Sequence, residues 1–303
     1  DRVFASRIPR PGRLGLAPML NPAGRVVGDL SIACLAEDRF LIVGSGFAEE
    51  FHLRWFESAE PPADVFVRSA ASTLAGFSIA GPQSRALLQK LVRIDLSNEA
   101  FRLFAVKECA AGFAPVILTR AGFTGELGYE LWTTPDFAVS LYEDLCEAGR
   151  DLGLVHFGGR ALSSLRLEKN YGSFNKDFRP DYTPGETGLD RFVDFSKGEF
   201  TGQAAALAER EAGPKRRFVV MQVQEGDADV VGFESLMKDG KAVGYVTSGA
   251  YGHCVDASLA AGYVPAALAK EGESLEIDIL GELRRATVRL QPLYDPQGMR
   301  LRA

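Results

Sequence analysis

The chain has 303 residues, of which 46% are hydrophobic and 24% charged, with a formal net charge of −6. This length suggests two or three domains with substantial cores, in a composition ordinary for a soluble globular protein. There is no basic block to favour nucleic acid, no apolar run near the roughly 18 residues that span a bilayer, and no signal-peptide anatomy at the start.

Cys34, Cys109, Cys146 and Cys254 lie far apart without a C-x-x-C pair, as expected of reduced thiols in a cytoplasmic protein. His52, His156 and His253 are equally scattered, and nothing has zinc-ligand spacing. No nucleophile elbow is present. Gly44-Ser45-Gly46 lacks the third glycine of a dinucleotide fingerprint and reads as a loop.

Residues 8–24 are rich in Pro and Gly, which argues against a long helix or a central strand. Residues 26–35 alternate as a strand. Val26, Leu30, Ile32 and Cys34 share one face, and Val27, Asp29, Ser31 and Ala33 the other. Aspartate is disfavoured in strands, so Asp29 needs a reason: an edge position, a bond to a nearby turn, or a place in a cleft. Residues 36–39 turn the chain and 40–43 return as the hairpin partner. Residues 48–59 read as a helix with Phe51, Trp55 and Phe56 in its core face. Short strands are expected at 65–67 and 74–79. A helix follows Gly81-Pro82 and runs through Val92, with Leu87, Leu88 and Leu91 inward. Residues 104–109 and 114–118 are further strand candidates.

The richest stretch runs from Thr119 to Trp132. Gly122, Gly125 and Gly128 allow tight turns, and the exit strand then alternates. Leu127, Tyr129 and Leu131 should face a core, which leaves Glu130 beside Trp132 on the opposite face. Glu130 is then either a solvated surface acid or the acceptor for a flat heterocycle with two adjacent N–H donors, which a carboxylate can receive in parallel.

An amphipathic helix is expected at 135–152, and another at 160–170 after Gly158-Gly159. In the second, Ala161, Leu162 and Leu165 form the apolar stripe, and Arg160, Arg166 and Lys169 decorate the remainder. Arg160 is either solvated or an anion ligand at a helix N-terminus. Residues 177–194 are loop-rich, and a last helix ends near Glu211. Gly213-Pro214 followed by Lys215-Arg216-Arg217 reads as a domain boundary, dividing the chain into 1–212 and 213–303. Six short strands then follow at 218–224, 234–238, 243–247, 259–264, 275–280 and 284–292. Asp239-Gly240 is a hairpin signal, and so many close strands suggest a small barrel or sandwich.

Four ordered stretches carry a family resemblance: residues 19–30, 119–132, 164–169 and 292–302. Together they resemble the folate-dependent aminomethyltransferase family, the glycine-cleavage T-protein fold, and within it the C-terminal half of dimethylglycine and sarcosine dehydrogenases. The resemblance implies an α+β fold of two antiparallel-sheet subdomains plus a C-terminal β-barrel. It implies tetrahydrofolate as cofactor, with Glu130 on the pterin edge and Asn21, Phe123, Tyr129, Arg160 and Phe174 as further contacts. Asp29 is implied as the catalytic acid near N5/N10, ionised at pH 7 with a cationic partner offsetting its desolvation.

The implied reaction captures the iminium or formaldehyde from an N-methyl amine as 5,10-methylenetetrahydrofolate. The FAD that oxidises the amine is expected in a flavin domain or subunit that precedes this segment, so the chain is expected to be a piece of a longer protein. Phe123 stands where the family often has Tyr, and Leu162 where it has Arg. Two alternatives remain: a folate-dependent methyl-transferring demethylase, and a non-catalytic folate-binding scaffold. Glu199, at the position of a cysteine found in iron–sulfur assembly relatives, argues against that form of scaffold.

Overall fold

The computed structural model describes residues 1–303. Strands β1 (Arg13–Leu20), β2 (Val26–Ala36) and β3 (Arg39–Val43) form an antiparallel sheet with β2 in the centre. β1 lies in the Pro/Gly-rich stretch that did not read as a central strand. It is an edge strand, where Pro18 can sit without breaking a ladder on both sides. Asp29 is on the central strand, which removes the edge-position explanation for it.

Helix α1 (Glu49–Ser58) covers one face of this sheet. Phe56 packs on Met19, Leu30 and Ile32, with Trp55 partly buried beside it. Phe51, expected in the same core, is 37% exposed: the buried stripe runs through His52 and Phe56, and Phe51 falls to its side. Residues 65–67 form no strand and are exposed; they find no partner ladder.

The second sheet has four antiparallel strands. Along the chain these are β4 (Ala75–Ala80), helix α2 (Ser84–Gln89), β5 (Val106–Ala111), β6 (Ala114–Thr119), β7 (Gly128–Thr133) and helix α3 (Pro135–Gly149), with strand order β4-β7-β6-β5. One face carries Phe77, Val116, Leu118, Tyr129 and Leu131, and it packs on Leu87 and Leu88 of α2 and Leu141 and Leu145 of α3. Each fully buried leucine of this kind contributes roughly 2 kcal/mol of transfer free energy.

The other face carries Ser78, Ile117, Thr119, Glu130 and Trp132, as the register requires. Ile117 and Val106 from this face join Leu14, Ala33, Leu35 and Leu41 of the first sheet in one small cluster. Ala33 shares its face of β2 with Asp29. The Glu130 face of one sheet is therefore turned toward the Asp29 face of the other. Backbone bonds Leu14 N–H to Phe104 O and Val106 N–H to Gly12 O, both 2.9 Å, fix the junction.

Helices α4 (Gly159–Glu168), α5 (Pro184–Thr187) and α6 (Gln203–Ala212) lead to strands β8 (Arg216–Val223), β9 (Ser235–Lys238), β10 (Lys241–Gly252), β11 (Ala257–Pro265), β12 (Ser274–Ile279) and β13 (Glu282–Arg289). These six close into an antiparallel barrel, filled by residues such as Met221, Leu236, Val246, Ile277 and Val288. Asp239 and Gly240 make the turn between β9 and β10, with φ of 50° and 72°, the paired positive values of a tight hairpin. The architecture is the expected α+β one with a C-terminal barrel.

α4 departs from its expected orientation. Arg166 and Lys169, expected on its outer face, are buried, whereas Ala161 is exposed. Both charges find distant partners. Arg166 pairs with Asp177 and also donates to Ser248 Oγ at 2.7 Å and to the Tyr171 carbonyl at 2.9 Å. Lys169 pairs with Asp295 at 3.1 Å. Buried Glu168 likewise accepts the Cys254 N–H at 2.7 Å.

Candidate functional site

Glu130 projects from the middle of β7, between Ser78 of β4 and Thr119 of β6. Burial raises its pKa; Thr119 and Trp132 act in the opposite direction. Thr119 Oγ1 and Trp132 Nε1 thus lie near the carboxylate, yet neither reaches hydrogen-bond geometry with any protein group, and both are buried. A buried polar atom left unpaired costs about 1–3 kcal/mol, so the two beside this acid leave hydrogen-bonding capacity unused on the Glu130 face. The Trp132 ring rests against β4: a Cβ on Gly76 would come within 2.6 Å of it. A Cβ on Gly128 would sit 3.3 Å from the Ala121 carbonyl and 3.4 Å from that of Ile79, so close backbone packing favours a glycine there.

Asp29 is half-buried on β2, and its pKa is pushed from 3.8 up to about 7. Burial is the main cause, its own backbone N–H opposes the rise, and the charge of Asp177 adds to it. The expected cationic partner is not what acts on it; its charged neighbour is another acid. Asp177 itself is fully buried and fully satisfied. It pairs with Arg166, accepts from Thr247 Oγ1 at 2.5 Å and from the Ser173 N–H at 2.9 Å, while its carbonyl accepts from Tyr263. Thr247, Ser248 and Tyr263 belong to the barrel, so three parts of the fold meet behind Asp29. On the far side of β2, His52 Nε2 lies 3.0 Å from the Val27 carbonyl, and burial lowers its pKa.

The other expected contacts are placed unevenly. Phe123 is 37% exposed, and its ring stacks on Tyr171 at 5.7 Å. Arg160 stands exposed in the first turn of α4 without a protein partner. Asn21 spends its Oδ1 on the N–H groups of Ala23 and Arg25, which closes its own turn. Phe174 is 5% exposed and packs in a core cluster, 5.1 Å from the His52 ring. Tyr129 is corrected: it is wholly buried on the helix side, opposite Glu130, with its hydroxyl bound by Arg85 at 3.2 Å. Strand alternation alone separates it from the Glu130 face.

Three contributors escaped the sequence reading. Tyr171 follows the end of α4, and only its aromatic character could have flagged it. Thr119 pairs with Glu130 across strands, which needs the register. The Arg166–Asp177 pair joins residues whose contact depends on tertiary packing.

Two concavities exist elsewhere. One of about 390 Å³ lies on the barrel wall, lined by Gln222, Gln224, Asp256 and Arg285 among others. One of about 160 Å³ lies between residues 175–179 and the barrel, and it touches Thr247 of the Asp177 network. Neither is lined by Asp29 or Glu130, and chemistry rather than size identifies the candidate site.

Residues 1–197 match the family model of the GCVT N-terminal domain, and residues 216–295 that of the glycine cleavage T-protein C-terminal barrel domain. The chain is 35% identical over its whole length to mitochondrial dimethylglycine dehydrogenase of Rattus norvegicus, and spans 36% of that relative. It is 31% identical to an aminomethyltransferase of Moorella thermoacetica, covering 93% of this chain and 76% of that one. The crystal structure of the glycine cleavage system aminomethyltransferase T from Bartonella henselae aligns with a TM-score of 0.85 at 26% identity, covering 97% of this chain and 80% of the other. With both of its halves matched by the family's own models and its layout reproduced in a solved relative, the chain belongs to the glycine-cleavage T-protein family.

Proposed function

We propose that this chain is a tetrahydrofolate-dependent one-carbon transfer domain of a dimethylglycine- or sarcosine-dehydrogenase-like protein. It captures the iminium or formaldehyde unit derived from an N-methyl amine, giving 5,10-methylenetetrahydrofolate. The observation that carries this reading is the Glu130 face: a desolvated carboxylate beside two buried, unpaired polar atoms, turned toward a second acid.

Tetrahydrofolate, when bound, supplies the nucleophilic nitrogens. Glu130 would accept the paired N–H donors of the pterin edge, which restores hydrogen bonds to a carboxylate that burial has stripped. Thr119 Oγ1 and Trp132 Nε1 would complete the polar rim. The Phe123–Tyr171 stack offers an aromatic wall, and Arg160 a cation for a carboxylate tail. Asp29, with a pKa of about 7, is poised to take up a proton near neutrality or to face a cationic one-carbon unit. Arrival of a cation would draw its pKa down and make it a better counter-charge.

The same reading assigns the oxidation of the amine to a separate domain or subunit carrying FAD, in keeping with a chain that spans about a third of its dehydrogenase relatives. It divides the chain into 1–212 and 213–303, and puts it in the cytoplasm, where four free cysteines are at home.

Calorimetric titration with tetrahydrofolate tests the reading. The intact protein should bind, and Glu130→Ala should weaken binding by about 2–3 kcal/mol. Absence of binding by the intact protein would remove the proposal. Product analysis adds a second arm, since 5-methyltetrahydrofolate in place of the 5,10-methylene product would identify a demethylase.

A further inference from the structure

The loop between β6 and β7 is held from outside itself. From Ala121 to Glu126 no main-chain group bonds another main-chain group, and the one internal bond runs from the Glu126 N–H to Thr124 Oγ1 at 3.3 Å. A loop without a ladder or turn bonds of its own has little to fix its shape. Yet Thr124 and Gly125 are buried, and Phe123 stands on Tyr171.

Residues 290–302, running on from β13 as a tail, supply the order. Leu293 packs on the cluster that holds Leu167 and Leu259, and the Tyr294 N–H donates to the Glu168 carbonyl at 3.1 Å. The Tyr294 hydroxyl then donates to Glu126 Oε1, and Arg300 Nη1 lies 3.5 Å from the same oxygen. Burial raises the pKa of Tyr294 and its bond to Glu126 raises it further, so the hydroxyl stays a donor at neutral pH. Lys169, at the end of α4, joins loop and tail in one side chain. Its stem lies against the loop: a Cβ on Gly125 would come within 3.0 Å of Lys169 Cδ. Its ammonium holds Asp295 Oδ2 at 3.1 Å. Asp295 in turn closes the tail's own turn, accepting the Met299 and Arg300 N–H groups at 2.9 and 3.0 Å. The Lys169 and Asp295 side chains are 5% and 9% exposed, so solvent screens this pair far less than a surface one.

We propose that Tyr294, through Glu126, and Asp295, through Lys169, are positioning residues that hold residues 121–126 in the shape that receives tetrahydrofolate. The ligand rests on the function proposed above, whereas the strap rests on these contacts alone. Neither residue needs to touch the ligand. With the tail released, the loop samples other shapes, and only the fraction in the competent one binds, so affinity falls in proportion.

The test uses Tyr294→Phe, which removes one hydroxyl from a half-buried ring and should leave a folded protein. Chymotrypsin is applied to the ligand-free 303-residue chain. Cleavage after Phe123 is followed by mass spectrometry against cleavage after Phe113, 95% exposed in the β5–β6 turn. Tyr294→Phe and Glu126→Ala should each raise the Phe123-to-Phe113 ratio about tenfold, and the double variant no further. Glu126→Gln keeps an acceptor for the hydroxyl and should restore most of the protection. In calorimetry Tyr294→Phe should weaken tetrahydrofolate about tenfold, with a much smaller effect on the single-turnover rate at saturation. A wild-type cleavage ratio in Tyr294→Phe, or wild-type tetrahydrofolate affinity in it, overturns the proposal. A raised ratio together with no tetrahydrofolate binding by the intact protein defeats the function proposed above and leaves the strap standing.

Discussion

Replacing Asp29 by Asn separates a burdened acid from a merely structural side chain. The folded protein holds a proton on Asp29 up to about pH 7, whereas the unfolded chain releases it near its ordinary value of 3.8. The stability that this proton contributes is complete below pH 4 and is lost as the pH rises to 7. At 1.36 kcal/mol per pKa unit, ionised Asp29 costs the fold about 4 kcal/mol above that range. Asparagine has nearly the same shape and no charge to lose. The stability of Asp29→Asn relative to wild type should therefore grow by about 2–3 kcal/mol between pH 5 and pH 8.5. Urea unfolding at the two pH values measures the gap. A gap that stays constant would show that this carboxyl does not carry the proton. The same variant should keep folate binding and slow single-turnover transfer, and the wild-type rate should rise with pH around a midpoint near 7 that the variant lacks.

Asp177→Asn strands Arg166 in the interior and should cost about 3–5 kcal/mol in urea unfolding. In a folded preparation the Asp29 titration, followed by NMR, should move to lower pH, because a like charge has gone. Gly249→Ala puts a Cβ 2.1 Å from the Val230 carbonyl, a backbone atom that cannot step aside, and should destabilise the barrel by roughly 1–3 kcal/mol, read by a circular dichroism melt. Phe123→Tyr restores a hydroxyl at an exposed, stacked position and should tighten tetrahydrofolate by about 1 kcal/mol in calorimetry.

Much of the layout was written in local pattern. Period-two alternation separated Glu130 and Trp132 from Leu127, Tyr129 and Leu131, and turn residues such as Asp239-Gly240 marked the barrel strands. What escaped was whatever depends on a distant partner. β1 is a strand because β2 supplies its ladder, which Pro18 and the prolines flanking the strand hide. The α4 charges read as solvent-facing because Asp177 and Asp295 lie 11 and 126 positions away. Phe51 missed the buried stripe by a single residue of helical rotation. Asp29 was visible as an anomaly, but its environment was not: the burial that raises its pKa is a product of tertiary packing, and the acid that adds to it lies in a loop with no periodic signal.

The buried charges of α4 have a thermodynamic consequence. Arg166 reaches the barrel through Ser248 and the 177 loop through its ion pair, Glu168 holds the backbone at Cys254, and Lys169 grips the tail. Unfolding the barrel alone would strip Arg166 of Ser248, Asp177 of Thr247 and Tyr263, and Glu168 of the Cys254 N–H, leaving buried charges short of the hydrogen bonds that support them. One short helix thus makes partial melting expensive, and heat should take the sheets and the barrel apart in a single cooperative step.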